Sequence, residues 1–157
     1  LTCKILELIS GETLPDFFKN HLWDTLGCEN TEVDDAAGGT QSVPLDMAKV
    51  AQMLLQKGKY GDMQFFTEDT FEQMLPVKVE AANPPWDGYY GIGTGFFKGD
   101  GLGEGTFGHG AASSAYVRID PENDLVVIMT RDARGGNFGK YSGDFFRLIM
   151  ESLEEGL

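Results

Sequence analysis

Apolar positions at Leu1, Ile5, Leu8 and Ile9 recur at helical spacing, and Ser10-Gly11 follows as a stop, since glycine readily takes the left-handed conformation that closes a helix. A second helix is predicted next. Pro15 suits its first turn, Asp16 complements the helix dipole, and Phe18, Leu22 and Leu26 line one face until Gly27 ends it. Asp34 to Gln41 reads as a small-residue loop containing Ala36-Ala37-Gly38-Gly39. Pro44 and Asp46 then open a third helix to about Lys57, with Met47, Val50, Ala51, Leu54 and Leu55 apolar and Gly58 as terminator. Thr67 can accept from the free amides of a fourth helix, Glu68 to Leu75, whose first turn is acidic. Pro76, Pro84 and Pro85 close this helical region.

From Tyr89 the period changes. Tyr90-Gly91-Ile92-Gly93-Thr94-Gly95-Phe96-Phe97 alternates glycine with larger residues, a strand pattern in which other groups approach the backbone closely. Ser113 to Asp120 and Leu125 to Arg131 are two further strands, and the turn formers Pro121-Glu122-Asn123-Asp124 fold them back antiparallel. After the Gly-rich loop Arg134 to Asn137, Tyr141, Phe145, Leu148, Ile149 and Leu153 give a closing helix an apolar face for the sheet. The order predicts an α+β fold, with an antiparallel sheet of about three strands and flanking helices. Residues 1–157 read as a single unit, mainly helical over 1–76, with the sheet and closing helix over 88–157.

Composition fits a globular chain. Eleven Phe, five Tyr, two Trp and a hydrophobic share of 41% supply enough apolar area to offset the entropy of ordering. A formal charge of −13 with no basic stripe opposes nucleic-acid binding, and no stretch is apolar and long enough to span a membrane. Cys3 and Cys28 have neither C-x-x-C spacing nor a His pair near them, so no structural metal is expected; two free thiols or one disulfide both fit. No cofactor is expected either. Gly103-x-Gly105-x-x-Gly108 matches a dinucleotide fingerprint by letter, but a strand follows it, leaving no helix N-terminus for a pyrophosphate.

Four ordered segments resemble the serine β-lactamase-like hydrolases, comprising class C β-lactamases, penicillin-binding proteins and related esterases. ILELISGETLPDFFKNHLWDTLGC is similar to that family's helix-Ser-Gly-helix unit, and AAGGTQSVPLDMAKVAQMLLQKGKY to its Gly-Gly loop and following helix. YYGIGTGF is similar to the strand before the active site. FGHGAASSAYVRIDPENDLVVIMTRD is similar to the third-motif strand with its hairpin partner. The resemblance implies acyl transfer to a small-molecule or peptide substrate, a β-lactam, ester or peptide.

Acyl transfer of that kind also uses a Ser-x-x-Lys pair and a Tyr-x-Asn-type pair. Neither is present: no serine has Lys three residues on, and no tyrosine has Asn two residues on. The resemblance places both motifs before Leu1, so the sequence reads as a C-terminal portion, inactive by itself. What remains is one wall of a site. His109, Gly110 and Ala111 stand where the family has Lys-Thr-Gly or His-x-Gly, and the Ala112 amide would serve the oxyanion hole. Ala111 departs from the family's glycine. Gly38 and Gly39 would border the cleft, unless they serve only the turn. Tyr90, with Tyr89 and Trp86, would line it unless the rings are core packing. A non-catalytic binding or sensing module on the same fold is the rival reading.

Two further expectations follow from the resemblance. The family sheet continues beyond the last hairpin strand, so an exposed edge there would favour self-association. A periplasmic or secreted protein is also implied, although the residues themselves fix no compartment.

Overall fold

The computed structural model describes residues 1–35, 38–80, 87–98 and 101–154. They fall into two compact units, Leu1–Val50 and Ala51–Leu157. In the first, α1 (Thr2–Ser10) ends where Gly11 turns left-handed at φ 75° and its N–H reaches the Glu7 carbonyl. Helix α2 (Leu14–Phe18) starts at Thr13, whose hydroxyl accepts from the Asp16 amide. It continues through one π-helical stretch, Lys19–Trp23, into α3 (Asp24–Leu26), closed by Gly27 at φ 67°. Trp23, the last residue of that stretch, is buried with Leu14, Leu26, Cys28 and Val33, and its ring stacks on Phe18 at 5.6 Å. The periodicity of the sequence does not signal the π-helical stretch.

Strands β1 (Glu32–Val33) and β2 (Thr40–Gln41) form a short antiparallel ladder, so the expected loop Asp34–Gln41 ends in a strand. Ala36 and Ala37 lie outside the described residues. Helix α4 (Pro44–Leu55) follows, and its Asp46 is buried at 3% exposure. Asp46 accepts from the Asn30 amide at 2.7 Å, the Thr31 hydroxyl at 3.0 Å and Lys49 at 3.2 Å. Burial raises its carboxyl, but these hydrogen bonds outweigh burial and hold it below the ordinary range. Both cysteines are free, and burial followed by the charge of Asp46 pushes the Cys28 thiol up.

In the second unit, Lys57 at φ 53° and Gly58 at φ 95° end the helical run, and β3 (Lys59–Tyr60) and β4 (Met63–Gln64) make a small hairpin. A side chain at residue 58 would put its Cβ 2.4 Å from the Phe66 carbonyl oxygen. Thr67 caps α5 (Glu68–Met74) by accepting from the Thr70 amide at 3.2 Å. Next, β5 (Val77–Glu80) pairs antiparallel with β6 (Asp87–Tyr90). The proline pattern ends the helical region at Pro76 without predicting β5, which starts at the next residue; Pro84, Pro85 and Trp86 lie outside the described residues.

The single strand expected over Tyr90–Phe97 is two strands, β6 and β7 (Gly95–Phe96). The cause is tertiary: Ile92 donates to the Met74 carbonyl at 3.0 Å, Gly91 to the Thr94 carbonyl at 2.7 Å, and a Cβ on Gly91 would lie 2.2 Å from the Met74 oxygen. Strand β8 (Phe107–Gly110) begins within Gly103-x-Gly105-x-x-Gly108, whose last glycine is its second residue. Strand β9 (Tyr116–Asp120) starts later than the expected Ser113, and β10 (Leu125–Met129) returns beside it. The main sheet has four strands in the order β10-β9-β8-β7, all antiparallel, and α6 (Phe138–Glu154) follows.

Alternation along β9 and β10 gives that sheet two apolar faces. Phe107 and Ile119 pack with Ala51 and Phe71 on one face, joined by Val117, Val126 and Ile128. Tyr116 and Val127 pack with Phe146 of α6 on the other, and the Tyr116 and Phe146 rings stack at 5.2 Å. The closing helix therefore covers the sheet as expected, but through Phe146 with Phe145 and Ile149, while Tyr141 and Leu148 stay exposed. The architecture is a mixed helix and antiparallel-sheet fold.

Candidate functional site

Strand β8 carries the candidate residues on an inner position of the sheet. Its inner end is buried at Phe107 and Gly108, whereas His109 and Gly110 are exposed. The register sets His109 opposite Val117 and Gly110 opposite Tyr116 on β9. His109 shares the sheet face of Phe107, because side chains two apart point the same way. Gly108 is a steric requirement: a Cβ there would stand 2.1 Å from the Val117 carbonyl oxygen. Gly110 has no such limit, with the nearest atom to an added Cβ 3.9 Å away.

A tight turn joins β8 to β9. Ala111 donates to the Ala115 carbonyl and Ser114 to the Ala111 carbonyl, both at 2.9 Å, with Ser114 left-handed at φ 65°. Ala111 and Ala112 are exposed in this turn. Ala112 lies outside the ladder, and among the described residues no hydrogen bond uses its N–H. Ser113 accepts from the Ala115 amide at 3.3 Å, which fits a turn role.

Arg118 supports the strand from behind. Its guanidinium lies 3.4 Å over the Phe97 ring and donates to the His109 carbonyl at 3.1 Å and the Val117 carbonyl at 3.1 Å. The residue is buried, and an arginine within the apolar run Tyr116-Val117-Arg118-Ile119 is the sequence signal that could have marked it. Asp120, fully buried, fixes both ends of the same region. It accepts from the Gly103 amide at 2.9 Å, the Glu122 and Asn123 amides at 3.1 and 3.3 Å, and the Asn123 side chain at 2.7 Å.

Tyr90, half exposed, ends β6 with its ring beside Gly95, the residue paired with Gly108 immediately before His109. Tyr89 packs on Phe96 at 6.0 Å between ring centroids. Gly38 and Gly39 belong to the other unit. Gly39 closes the β1–β2 connection, where an added Cβ would meet the Asp35 amide nitrogen at 2.4 Å; Gly38 is exposed with open space around it. Among the described residues, no three His, Cys, Asp or Glu side chains gather as metal ligands, and no helix is long and apolar enough to cross a membrane.

No family model and no curated protein matches the sequence. Solved structures do match. A β-lactamase from Mycobacterium bovis aligns with a TM-score of 0.71 at 19% identity, over 96% of this chain and 59% of that one. The fold is β-lactamase-like. The octameric penicillin-binding protein homologue from Pyrococcus abyssi aligns at TM-score 0.73 and 20% identity, over 95% of this chain and 40% of its own. Simvastatin synthase from Aspergillus terreus aligns at 0.73 and 15%, over 98% and 53%. The chain thus spans about half the length of the β-lactamase-like structures it matches.

Proposed function

We propose that this chain supplies the His109 wall of an acyl-transfer site in a serine hydrolase of the β-lactamase-like fold. The observation that carries the reading is the end of β8. An exposed imidazole stands beside an exposed turn whose Ala112 N–H has no hydrogen-bond partner among the described residues. His109 would donate a hydrogen bond or positive charge toward the substrate. The Ala112 amide would stabilise the oxyanion, which carries its charge only in the transition state. Tyr90 would line the cleft from the β6 side. The substrate would be a small molecule or peptide with an ester, amide or β-lactam carbonyl.

The nucleophile would come from polypeptide other than these residues, which contain no Ser-x-x-Lys. The test uses a fluorophosphonate probe and a labelled penicillin on this chain and on a gene product that includes the preceding coding sequence. The chain alone should stay unlabelled. The longer product should be acylated, and His109→Ala should slow acylation by roughly 100-fold or more. A longer product that has the serine yet shows neither labelling nor esterase activity would leave the binding or sensing module as the better reading.

Self-association through β10 belongs to the same proposal. Among the described residues β10 is an outer strand of the main sheet, and an unpaired edge offers N–H and C=O groups to another chain. Light scattering should give a mass above that of one chain. A monomeric mass across the working concentration range would remove the idea.

A further inference from the structure

On the sheet face opposite His109, the end of β10 and the first turns of α6 border an open pocket of about 430 Å³. That size lies within the usual range for small-ligand sites. Its wall has two chemistries. Met129, Phe138, Tyr141 and Phe145 are apolar or aromatic, whereas Arg131 and Arg134 bring two guanidinium groups. No carboxylate lines it, and among the described residues neither arginine forms an ion pair, in a chain with 25 acidic and 12 basic residues. In such a background, two adjacent cations without an acidic partner create a local positive field.

The two arginines are held differently. Arg131 uses Nε and Nη2 on the Ala133 carbonyl at 3.3 Å, and Nη2 also on the Arg134 carbonyl at 2.5 Å, so it shapes the loop. Arg134 is exposed, and no hydrogen bond from its guanidinium occurs among the described residues. Both guanidinium groups sit over the Phe138 ring, at 4.9 and 5.8 Å from its centroid. A ligand reaching them would lie against aromatic surface and carry its charge at the rim.

From this geometry we infer a binding site for a small organic carboxylate with a flat apolar body, separate from the His109 wall. The carboxylate pairs with Arg134 and the free edge of Arg131, and the apolar body lies against Phe138, Tyr141 and Phe145. The site does not depend on any hydrolase activity.

The experiment titrates the whole chain with 2-naphthoate by calorimetry, and follows the α6 amides by NMR, at a concentration where light scattering gives one oligomeric state. Naphthoate should bind and shift the amides of the first α6 turns. Arg134→Gln, at an exposed position, should weaken binding roughly ten-fold or more while leaving the circular dichroism unchanged, as expected for loss of a charge-assisted pair. Neutral 2-naphthamide should bind comparably weakly to the wild type. Absence of naphthoate binding overturns the proposal. So does equal affinity in Arg134→Gln, naphthamide binding as tight as naphthoate, or shifts confined to residues away from the pocket.

Discussion

Replacing Asp120 by Asn tests whether this buried carboxylate is an acceptor hub or only fills space. Oδ1 accepts from the Glu122 and Asn123 amides, and Oδ2 from the Gly103 amide and the Asn123 side chain. All four partners are donors. An asparagine in either flip keeps one oxygen and turns its NH2 against two of them, so the near-isosteric change removes two hydrogen bonds and opposes donor to donor. Because Glu122 and Asn123 are exposed, water can recover part of the loss at the turn, whereas Gly103 is less accessible. Hydrogen bonds to charged groups contribute about 1.5–3 kcal/mol each, which puts Asp120→Asn at about 2–4 kcal/mol of destabilisation after that recovery. Asp120→Ala, which loses all four but adds no opposed donor, should fall in the same range. Urea unfolding followed by circular dichroism measures both, and hydrogen exchange should show the β9 and β10 amides opening first. If Asp120→Asn unfolds within about 0.5 kcal/mol of wild type, the range of an ordinary surface change, the acceptor account is wrong.

Gly108→Ala should cost about 3 kcal/mol, because its Cβ meets the Val117 carbonyl oxygen at 2.1 Å, while Gly110→Ala, with 3.9 Å of clearance, should stay within about 1 kcal/mol; paired urea curves decide it. The Asp46 carboxyl is lowered in the folded state, so its contribution is complete above an unfolded value of ~3.9 and is lost as pH falls through the lowered folded value. Between about pH 6 and about pH 3, Asp46→Asn should therefore lose less stability than wild type, measured as the shift in urea midpoint. Iodoacetamide should label Cys3 well before Cys28, which is 4% exposed and has a raised thiol; equal rates by mass spectrometry would contradict the burial.

Local signals carried much of the fold into the sequence. Gly11, Gly27 and Gly58 end helices where the spacing predicts, and the four turn formers after Asp120 close the β9–β10 hairpin. What stayed hidden depends on contacts far along the chain. The division between β6 and β7 rests on Met74, the reach of Asp120 to Gly103 crosses strand β8, and the widened turn at Lys19–Trp23 leaves no mark on the apolar period. Periodicity also cannot say which face is covered. Ile5, Leu8 and Ile9 of α1 are exposed despite their helical spacing, and Phe146, outside the expected stripe of α6, is the buried residue.

The candidate site divides in the same way. The strand bearing His109 was legible from the motif, but the tight turn after it was not: the sequence predicts the next strand from Ser113, whereas residues 111–115 turn and β9 starts at Tyr116. Arg118 was not legible either, since its role under the His109 carbonyl arises from pairing across β8 and β9. The two glycine candidates separate once sterics are considered, with Gly39 required by the Asp35 backbone and Gly38 unconstrained.

The β7-to-β10 sheet is a pure meander, each strand lying beside its neighbour in sequence. Its assembly therefore asks the chain for only short loop closures, which form quickly compared with distant pairings. The β9–β10 hairpin can form first and template β8, so the stretch bearing His109 finds its place from adjoining sequence. Such a segment is modular: moved as a block into another scaffold that covers its two apolar faces, it would take its imidazole and its turn with it.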